Sequence, residues 1–120
     1  MFTGEVWLSP GMSTADGGGT TLVQFSPGAR TVWHAHPGWQ VLFATSGRGI
    51  VCARGEARRE LLPGDVAYAA PGEWHYHGAT PKSPLTQLSV ISGGPPEWGA
   101  PVTQTEYVEG EAPSKEDVGR

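Results

Sequence analysis

The chain has 120 residues, a hydrophobic share of 38% and a net charge of −4 at neutral pH. This length predicts one domain with one core. The acidic balance and the lack of any Lys/Arg cluster argue against partners such as nucleic acid or an anionic membrane surface. No apolar run approaches the roughly 20 residues of a membrane helix. The N-terminus shows no secretory signal pattern, so a cytoplasmic location is expected.

Short strands bounded by glycine or proline follow one another along the chain, which predicts an all-β antiparallel sandwich or barrel. The predicted strands cover residues 4–8, 20–25, 29–34, 39–46, 49–53, 56–61, 65–69, 73–78 and 84–92. Residues 11–19 are predicted as a glycine- and serine-rich loop, and residues 93–101 as an irregular connection. Residues 102–108 are expected to dock as a last strand or against a partner. The predicted domain therefore spans residues 1–108, followed by a flexible polar tail, 109–120.

All four histidines fall into two His-X-His pairs, His34-Ala35-His36 and His75-Tyr76-His77. Side chains alternate between the faces of a strand, so both rings of each pair point to one side. The two pairs can face each other across a barrel interior and offer nitrogen ligands to a divalent transition metal. Gln40 can add an amide oxygen. The alternative, histidines in ordinary polar core or surface positions, explains such a complete pairing poorly.

The spacing around these histidines resembles that of the cupin superfamily. Gly28, five residues, His34-Ala35-His36, three residues, Gln40, six residues and Gly47 resemble the first cupin motif, and residues 64–75 resemble the second. The resemblance implies a double-stranded β-helix, a jelly-roll barrel, in a single domain. It also implies metal ligands at His34, His36, Gln40 and His75. The chain departs from the usual motifs at Gln40, where glutamate is common, and at Ala70, where proline is common.

Within the cupins, the chain resembles small manganese-dependent hydroxynitrile lyases and cupins associated with carboxymuconolactone decarboxylases. Trp33-His34-Ala35-His36-Pro37 and Glu73-Trp74-His75-Tyr76-His77-Gly78-Ala79 carry this likeness. The resemblance favours Mn²⁺, while Fe²⁺, Ni²⁺ and Zn²⁺ also suit such ligands. The lyases have a further histidine as catalytic base where this chain has Gln87, whose amide accepts no proton near neutral pH. His77 and Gln87 are therefore the candidate catalytic residues.

Three functions are compatible with this pattern. The first is a metal-dependent lyase or isomerase that acts on a small carbonyl- or hydroxyl-bearing substrate by Lewis-acid and proton-transfer chemistry. The second is an Fe²⁺ dioxygenase, and the third is a non-catalytic metal-bound binding or sensor protein. Strand parity predicts cavity walls from Thr21, Val23, Phe25, Gln87, Ser89 and Ile91. Cys52 is expected to be an inert, buried thiol. Trp7 and Trp98, near the two ends of the chain, are expected at the edges of a homodimer.

Overall fold

In a computed structural model, residues 1–109 are described, and they form two antiparallel β-sheets and one short helix. The seven-stranded sheet contains β1 (Phe2–Thr3), β4 (Arg30–Thr31), β5 (His34–Ala35), β7 (Gly49–Ala53), β8 (Arg59–Leu61), β10 (His75–Ala79) and β12 (Glu97–Trp98). The five-stranded sheet has the order β2 (Val6–Ser13), β3 (Gly19–Phe25), β11 (Leu85–Ile91), β6 (Gln40–Gly47) and β9 (Val66–Ala69). The helix is α1 (Gln104–Glu109).

The middle of the chain crosses repeatedly from one sheet to the other. Strand β6 belongs to the five-stranded sheet, the hairpin β7–β8 to the seven-stranded sheet, β9 to the former, β10 to the latter and β11 again to the former. This winding is the double-stranded β-helix, so the predicted all-β jelly roll is confirmed.

The main core fills the space between the sheets and follows the alternation of side chains along each strand. On β3, Val23 and Phe25 are buried while Leu22 is exposed; on β6, Leu42 and Ala44 are buried while Phe43 is exposed. Because a strand sends alternate side chains to opposite faces, the same spacing that fills the core also aims Gln40 of β6 inward.

A second core lies on the outer side of the seven-stranded sheet and is closed by the C-terminal part of the described chain. It contains Trp33, Ile50, Cys52, Tyr76, Val102 and Tyr107. The Tyr107 hydroxyl donates to the carbonyl oxygen of Ala79 at 2.7 Å, and the Arg30 guanidinium lies 4.1 Å from the Tyr107 ring centroid. Burial raises the pKa of the Cys52 thiol to about 11, which agrees with an unreactive thiol.

For residues 102–108, the expected last strand is wrong, because helix α1 covers most of them, and docking against a partner stays a prediction. Thr103 and Glu106 form a capping box, in which the Thr103 hydroxyl accepts from the Glu106 amide at 3.1 Å and the Glu106 carboxylate accepts from the Thr103 amide at 2.8 Å. The Thr-X-X-Glu sequence that carries this motif was readable, but six residues are too few to show a helical apolar stripe.

The structure also corrects three predicted segments: the loop 11–19, the strand 29–34 and the irregular connection 93–101. Strand β2 runs through the predicted loop as far as Ser13, because a bulge between Pro10 and Ser13 lets it continue along β3. The predicted strand 29–34 divides into β4 and β5, and the irregular segment 93–101 contains β12. The predicted flexible tail, 109–120, lies outside the described residues except for Glu109. Among residues 1–109, no helix is long and apolar enough to cross a membrane.

Candidate metal centre

Three histidines from two neighbouring strands of the seven-stranded sheet converge with a glutamine from the opposite sheet. His34 of β5 and His75 of β10 are direct partners in the strand register, and His36 follows β5 by one residue. One ring nitrogen from each of these histidines lies within 4.8 Å of the others. The two His-X-His pairs are thus side by side in one sheet rather than facing each other, and Gln40 is the group that reaches across the interior.

Backbone carbonyls fix which nitrogen of two rings is free to bind a ligand. His34 Nδ1 donates to the Val32 carbonyl oxygen at 2.8 Å, and His75 Nδ1 donates to the Glu73 carbonyl oxygen at 2.9 Å. A neutral imidazole with its hydrogen on Nδ1 keeps a lone pair on Nε2. Such a carbonyl contact is the arrangement that orients metal-bound histidines in proteins.

Gln40 of the five-stranded sheet contacts His75 across the interior. The Gln40 amide lies 2.8 Å from His75 Nε2. His75 Nδ1 already donates to a backbone carbonyl, and burial lowers the pKa of His75 to about 4, so the ring is neutral and Nε2 carries a lone pair. His75 Nε2 and the Gln40 amide oxygen are thus close enough to bind one metal ion side by side.

His36 gives the clearest sign of a ligand site. The side chain is 5% exposed, and neither of its ring nitrogens has a hydrogen-bond partner within residues 1–109. A buried polar group without a partner destabilises a protein by about 1–3 kcal/mol. Together with the donor set of three imidazoles and one amide, this unpartnered ring fits a divalent transition metal.

Burial keeps the site neutral at ordinary pH. It lowers the pKa of His34 to about 3, with a further contribution from His75, and it lowers the pKa of His36 as well. Neutral rings are the form that binds metal. The residues that line the adjoining cavity, all within the described chain, include no aspartate or glutamate, so a bound divalent ion would keep its full charge.

A cavity of about 160 Å³ opens beside these ligands, with mostly apolar walls. Thr21, Val23, Ser89 and Ile91 line it, as strand parity predicts. The other two predicted wall residues, Phe25 and Gln87, are not in the lining and lie deeper, both in contact with His77. Further walls come from Phe2, Leu8, Thr31, Pro96 and Trp98.

Trp98 is part of this site, and no sequence pattern indicated this role. It is the register partner of His34 between β12 and β5, and the two ring centroids are 5.2 Å apart. The prediction that placed Trp98 at a subunit edge rested only on its position near the end of the chain. No spacing signal in residues 93–101 could have placed it over the histidines.

His77 and Gln87 form a buried pair next to the metal ligands. His77 is 4% exposed and Gln87 is fully buried. The Gln87 Oε1 accepts from His77 Nδ1, which leaves the lone pair of His77 on Nε2, and the His77 backbone amide donates to the Thr31 hydroxyl at 3.2 Å. Burial, and then the nearby His34 and His75, hold the pKa of His77 well below its usual range. His77 lines the cavity but is outside the group of three clustered histidines.

Replacing Ser89 with alanine should weaken metal binding. The Ser89 hydroxyl accepts from Gln40 Nε2 at 2.9 Å, and this bond turns Gln40 Oε1 towards His75. Loss of a group that orients a ligand typically lowers metal affinity by about 10- to 100-fold. Titration against a chelator of known affinity measures the change, with Ser46→Ala, at an exposed serine on β6, as the control. Equal affinity in Ser89→Ala and wild type would contradict this role.

Comparison with known proteins agrees with the fold. Residues 21–91 match the Cupin domain family. The chain is 40% identical over 111 residues to (R)-mandelonitrile lyase from Granulicella tundricola, covering 88% of this chain and 85% of that protein. The crystal structure of a cupin-like protein from Thermotoga maritima superimposes with a TM-score of 0.86 at 39% identity, covering 91% of this chain and 86% of that one.

The DMSP lyase DddQ from Ruegeria pomeroyi shares the fold at 22% identity, with a TM-score of 0.67 over 83% of this chain and 53% of that one. The family match spans more than half of the sequence. The similarity to (R)-mandelonitrile lyase extends along most of both chains. The chain belongs to the cupin family.

Proposed function

We propose that this protein is a metal-dependent lyase that cleaves or forms small cyanohydrins, with Mn²⁺ as the metal. The observation that carries the proposal is the convergence of four neutral ligand side chains, His34, His36, Gln40 and His75, at the wall of a small apolar cavity. A divalent ion held by neutral ligands would act as a strong Lewis acid towards a carbonyl or hydroxyl oxygen. The 40% identity to a protein named (R)-mandelonitrile lyase supports this reaction class.

The cavity favours a small substrate with an apolar body. Its volume of about 160 Å³ is below the roughly 300–1,000 Å³ of pockets for drug-sized ligands. Phe2, Val23, Ile91 and Trp98 offer apolar surface, whereas Thr21 and Ser89 offer the hydroxyl groups that orient a polar substituent. An aromatic or aliphatic cyanohydrin combines these two properties.

His77 is the group placed to move the proton. Because burial makes His77 a weak base, the transfer would need a bound metal to lower the pKa of the substrate hydroxyl. In cyanohydrin cleavage the substrate hydroxyl loses its proton, the C–CN bond breaks, its electron pair leaves with cyanide, and a carbonyl group forms. Cyanide then takes up a proton to give HCN. Because His77 Nδ1 donates to Gln87, its Nε2 is left to accept the hydroxyl proton and return it. The Gln87 amide accepts no proton itself. Its role is to orient the ring of His77 through this hydrogen bond.

The proposal is tested by the release of benzaldehyde from mandelonitrile by the Mn²⁺-loaded protein. We expect release that EDTA abolishes, and a loss of about 100-fold or more in His77→Gln, the usual effect of removing an acid–base group. Unchanged metal content in His77→Gln separates this loss from a loss of the metal.

Gln87→His serves as the matched comparison with the lyases. Turnover in Gln87→His but not in wild type would contradict the proposal for the natural chain and would mean that Gln87 removes the activity from a site that accepts cyanohydrins. No metal-dependent release by either protein, from mandelonitrile or an aliphatic cyanohydrin, would contradict the proposal. Oxygen consumption by the Fe²⁺-loaded protein would favour the dioxygenase alternative instead.

A further inference from the structure

The walls of the cavity beside the metal ligands differ in how deeply they are buried. Its floor consists of buried side chains, namely Val23, Thr31, His34, His36, Gln40 and His77. Among the lining residues, all within the described chain, only Leu8 and Trp98 are exposed, by 51% and 38%. Leu8 lies on β2 of the five-stranded sheet and Trp98 on β12 of the seven-stranded sheet. The cavity therefore opens between these two side chains, which we call the mouth.

The backbone around Trp98 is held firmly against the strand that carries the first metal ligand. Trp98 is the register partner of His34 between β12 and β5. The Gly99 amide donates to the Trp33 carbonyl oxygen at 2.7 Å. A Cβ atom at position 99 would lie 2.9 Å from the Trp74 ring, so glycine is the residue that lets this segment approach its neighbours closely. The Trp98 ring thus forms a fixed surface beside the metal centre.

Trp98 is also the lining residue with aromatic surface left to offer a ligand. Apart from the histidines, the aromatic side chains of the lining are Phe2 and Trp98. Phe2 is half-buried and already packs edge-on against Phe25, with ring centroids 6.3 Å apart. The Trp98 ring contacts His34 at 5.2 Å between centroids, with 41° between the ring planes, and the rest of its indole surface faces the mouth. A flat aromatic ring can stack or pack edge-on against indole, and this contact adds to the effect of burying apolar area.

The depth of the cavity decides where the apolar body of a ligand lies. The metal ligands and His77 are at the floor, so the oxygen that reacts and the proton that moves are there as well. The cavity is small, about 160 Å³, and its exposed end is the mouth. A substrate with its oxygen at the floor therefore places its apolar body between Leu8 and Trp98.

We propose that Trp98 determines the specificity of this cavity by selecting an aromatic ring over a saturated ring of similar size. This role rests on the proposed function, because the substrate oxygen has to lie at the metal centre. It narrows the substrate class from small cyanohydrins in general to those of aromatic aldehydes and ketones. Trp98 lies outside residues 21–91, which match the family, so the family match does not assign it a function.

The test compares two probes that carry the same metal-binding group on different rings, benzohydroxamate and cyclohexanecarbohydroxamate. Isothermal titration calorimetry with the Mn²⁺-loaded full chain gives the ratio of their dissociation constants. In Trp98→Leu, which keeps apolar bulk at the mouth, the preference for the aromatic probe should fall by about 2- to 12-fold, the effect of an aromatic pair beyond the area that it buries. Trp7→Leu, at a 54% exposed tryptophan that does not line the cavity, should keep the wild-type ratio. A ratio that Trp98→Leu leaves unchanged would overturn the proposal.

Turnover separates a failure of this role from a failure of the proposed function. For the cyanohydrins of benzaldehyde and cyclohexanecarbaldehyde, the ratio of kcat/KM values should fall in Trp98→Leu by the same factor as the binding ratio. A probe preference that depends on Trp98, in a protein that cleaves neither cyanohydrin, would support the role of Trp98 and contradict the proposed function alone. Cleavage of both cyanohydrins with a ratio that Trp98→Leu leaves unchanged would overturn the role of Trp98 alone. If neither hydroxamate binds, no ligand oxygen reaches the metal centre, and both proposals are overturned.

Discussion

Replacing His36 with leucine should abolish tight binding of divalent metal while leaving the metal-free protein as stable as wild type or more stable. Neither ring nitrogen of His36 has a hydrogen-bond partner of good geometry in the described chain, and the nearby Gln40 only partly offsets the burial that lowers the pKa of the ring, so the metal-free fold gains little from them. Leucine removes this unsatisfied polar group and fills a similar volume. The loss of affinity should exceed the roughly 10- to 100-fold effect of removing a group that only orients a ligand.

Thermal or urea unfolding with EDTA and with Mn²⁺ measures both parts of this prediction. At 100 times the dissociation constant, bound metal should stabilise wild type by about 2.7 kcal/mol, and His36→Leu by nothing. His34→Leu is the matched control, because it also removes a ligand but breaks the hydrogen bond to the Val32 carbonyl.

The metal-free His34→Leu protein should therefore lose about 1–3 kcal/mol, whereas metal-free His36→Leu should not. If Mn²⁺ still stabilises His36→Leu, His36 is not a ligand. If metal-free His36→Leu is strongly destabilised, the ring has a structural role that its lack of hydrogen bonds does not reveal.

Local patterns were sufficient to predict the part of the site that lies on regular strands. The alternation of Val23, Phe25, Leu42 and Ala44 fixes the inner face of the five-stranded sheet, and Gln40 falls on that face by the same parity. The His-X-His spacing likewise predicts that His34 and His36 share a side. These inferences need only the period of a strand, which tertiary contacts do not change.

The same patterns could not show which strands are neighbours. Parity does not distinguish two histidine pairs that face each other across a barrel from two that are adjacent in one sheet, and the structure has the second arrangement. Trp98 reaches the site through a two-residue strand in an irregular segment, and Phe2 through an equally short one. Each of them pairs with a strand that is itself only two residues long, and two residues are too few to show the period of a strand.

Gln87 shows the limit of reading a site by comparison with a family. When the sequence is compared with the hydroxynitrile lyases, the amide at position 87 indicates only that a catalytic base is missing. In the structure the amide is fully buried, and its oxygen accepts from His77. The contact between Gln87 and His77 depends on the packing of β10 against β11 from opposite sheets, which no local spacing encodes.

The metal-free protein should lose stability steeply as the pH falls from 6.5 to 5. Burial lowers the pKa of His34 to about 3 and that of His75 to about 4, and it also lowers the pKa values of His36 and His77. Below pH 6.5 the unfolded chain therefore takes up protons that the folded chain does not, so the free energy of unfolding decreases as the pH falls. Each such histidine contributes a slope of up to about 1.4 kcal/mol per pH unit.

Urea unfolding in EDTA at pH 7, 6, 5.5 and 5 measures this slope above the range in which carboxylates titrate. His34→Gln keeps a polar side chain but removes one titrating group, so its slope should be smaller by about one histidine's share. A free energy of unfolding that does not change over this range would mean that the rings are protonated in the folded state. The folded chain would then not hold these histidines in the neutral form that binds metal.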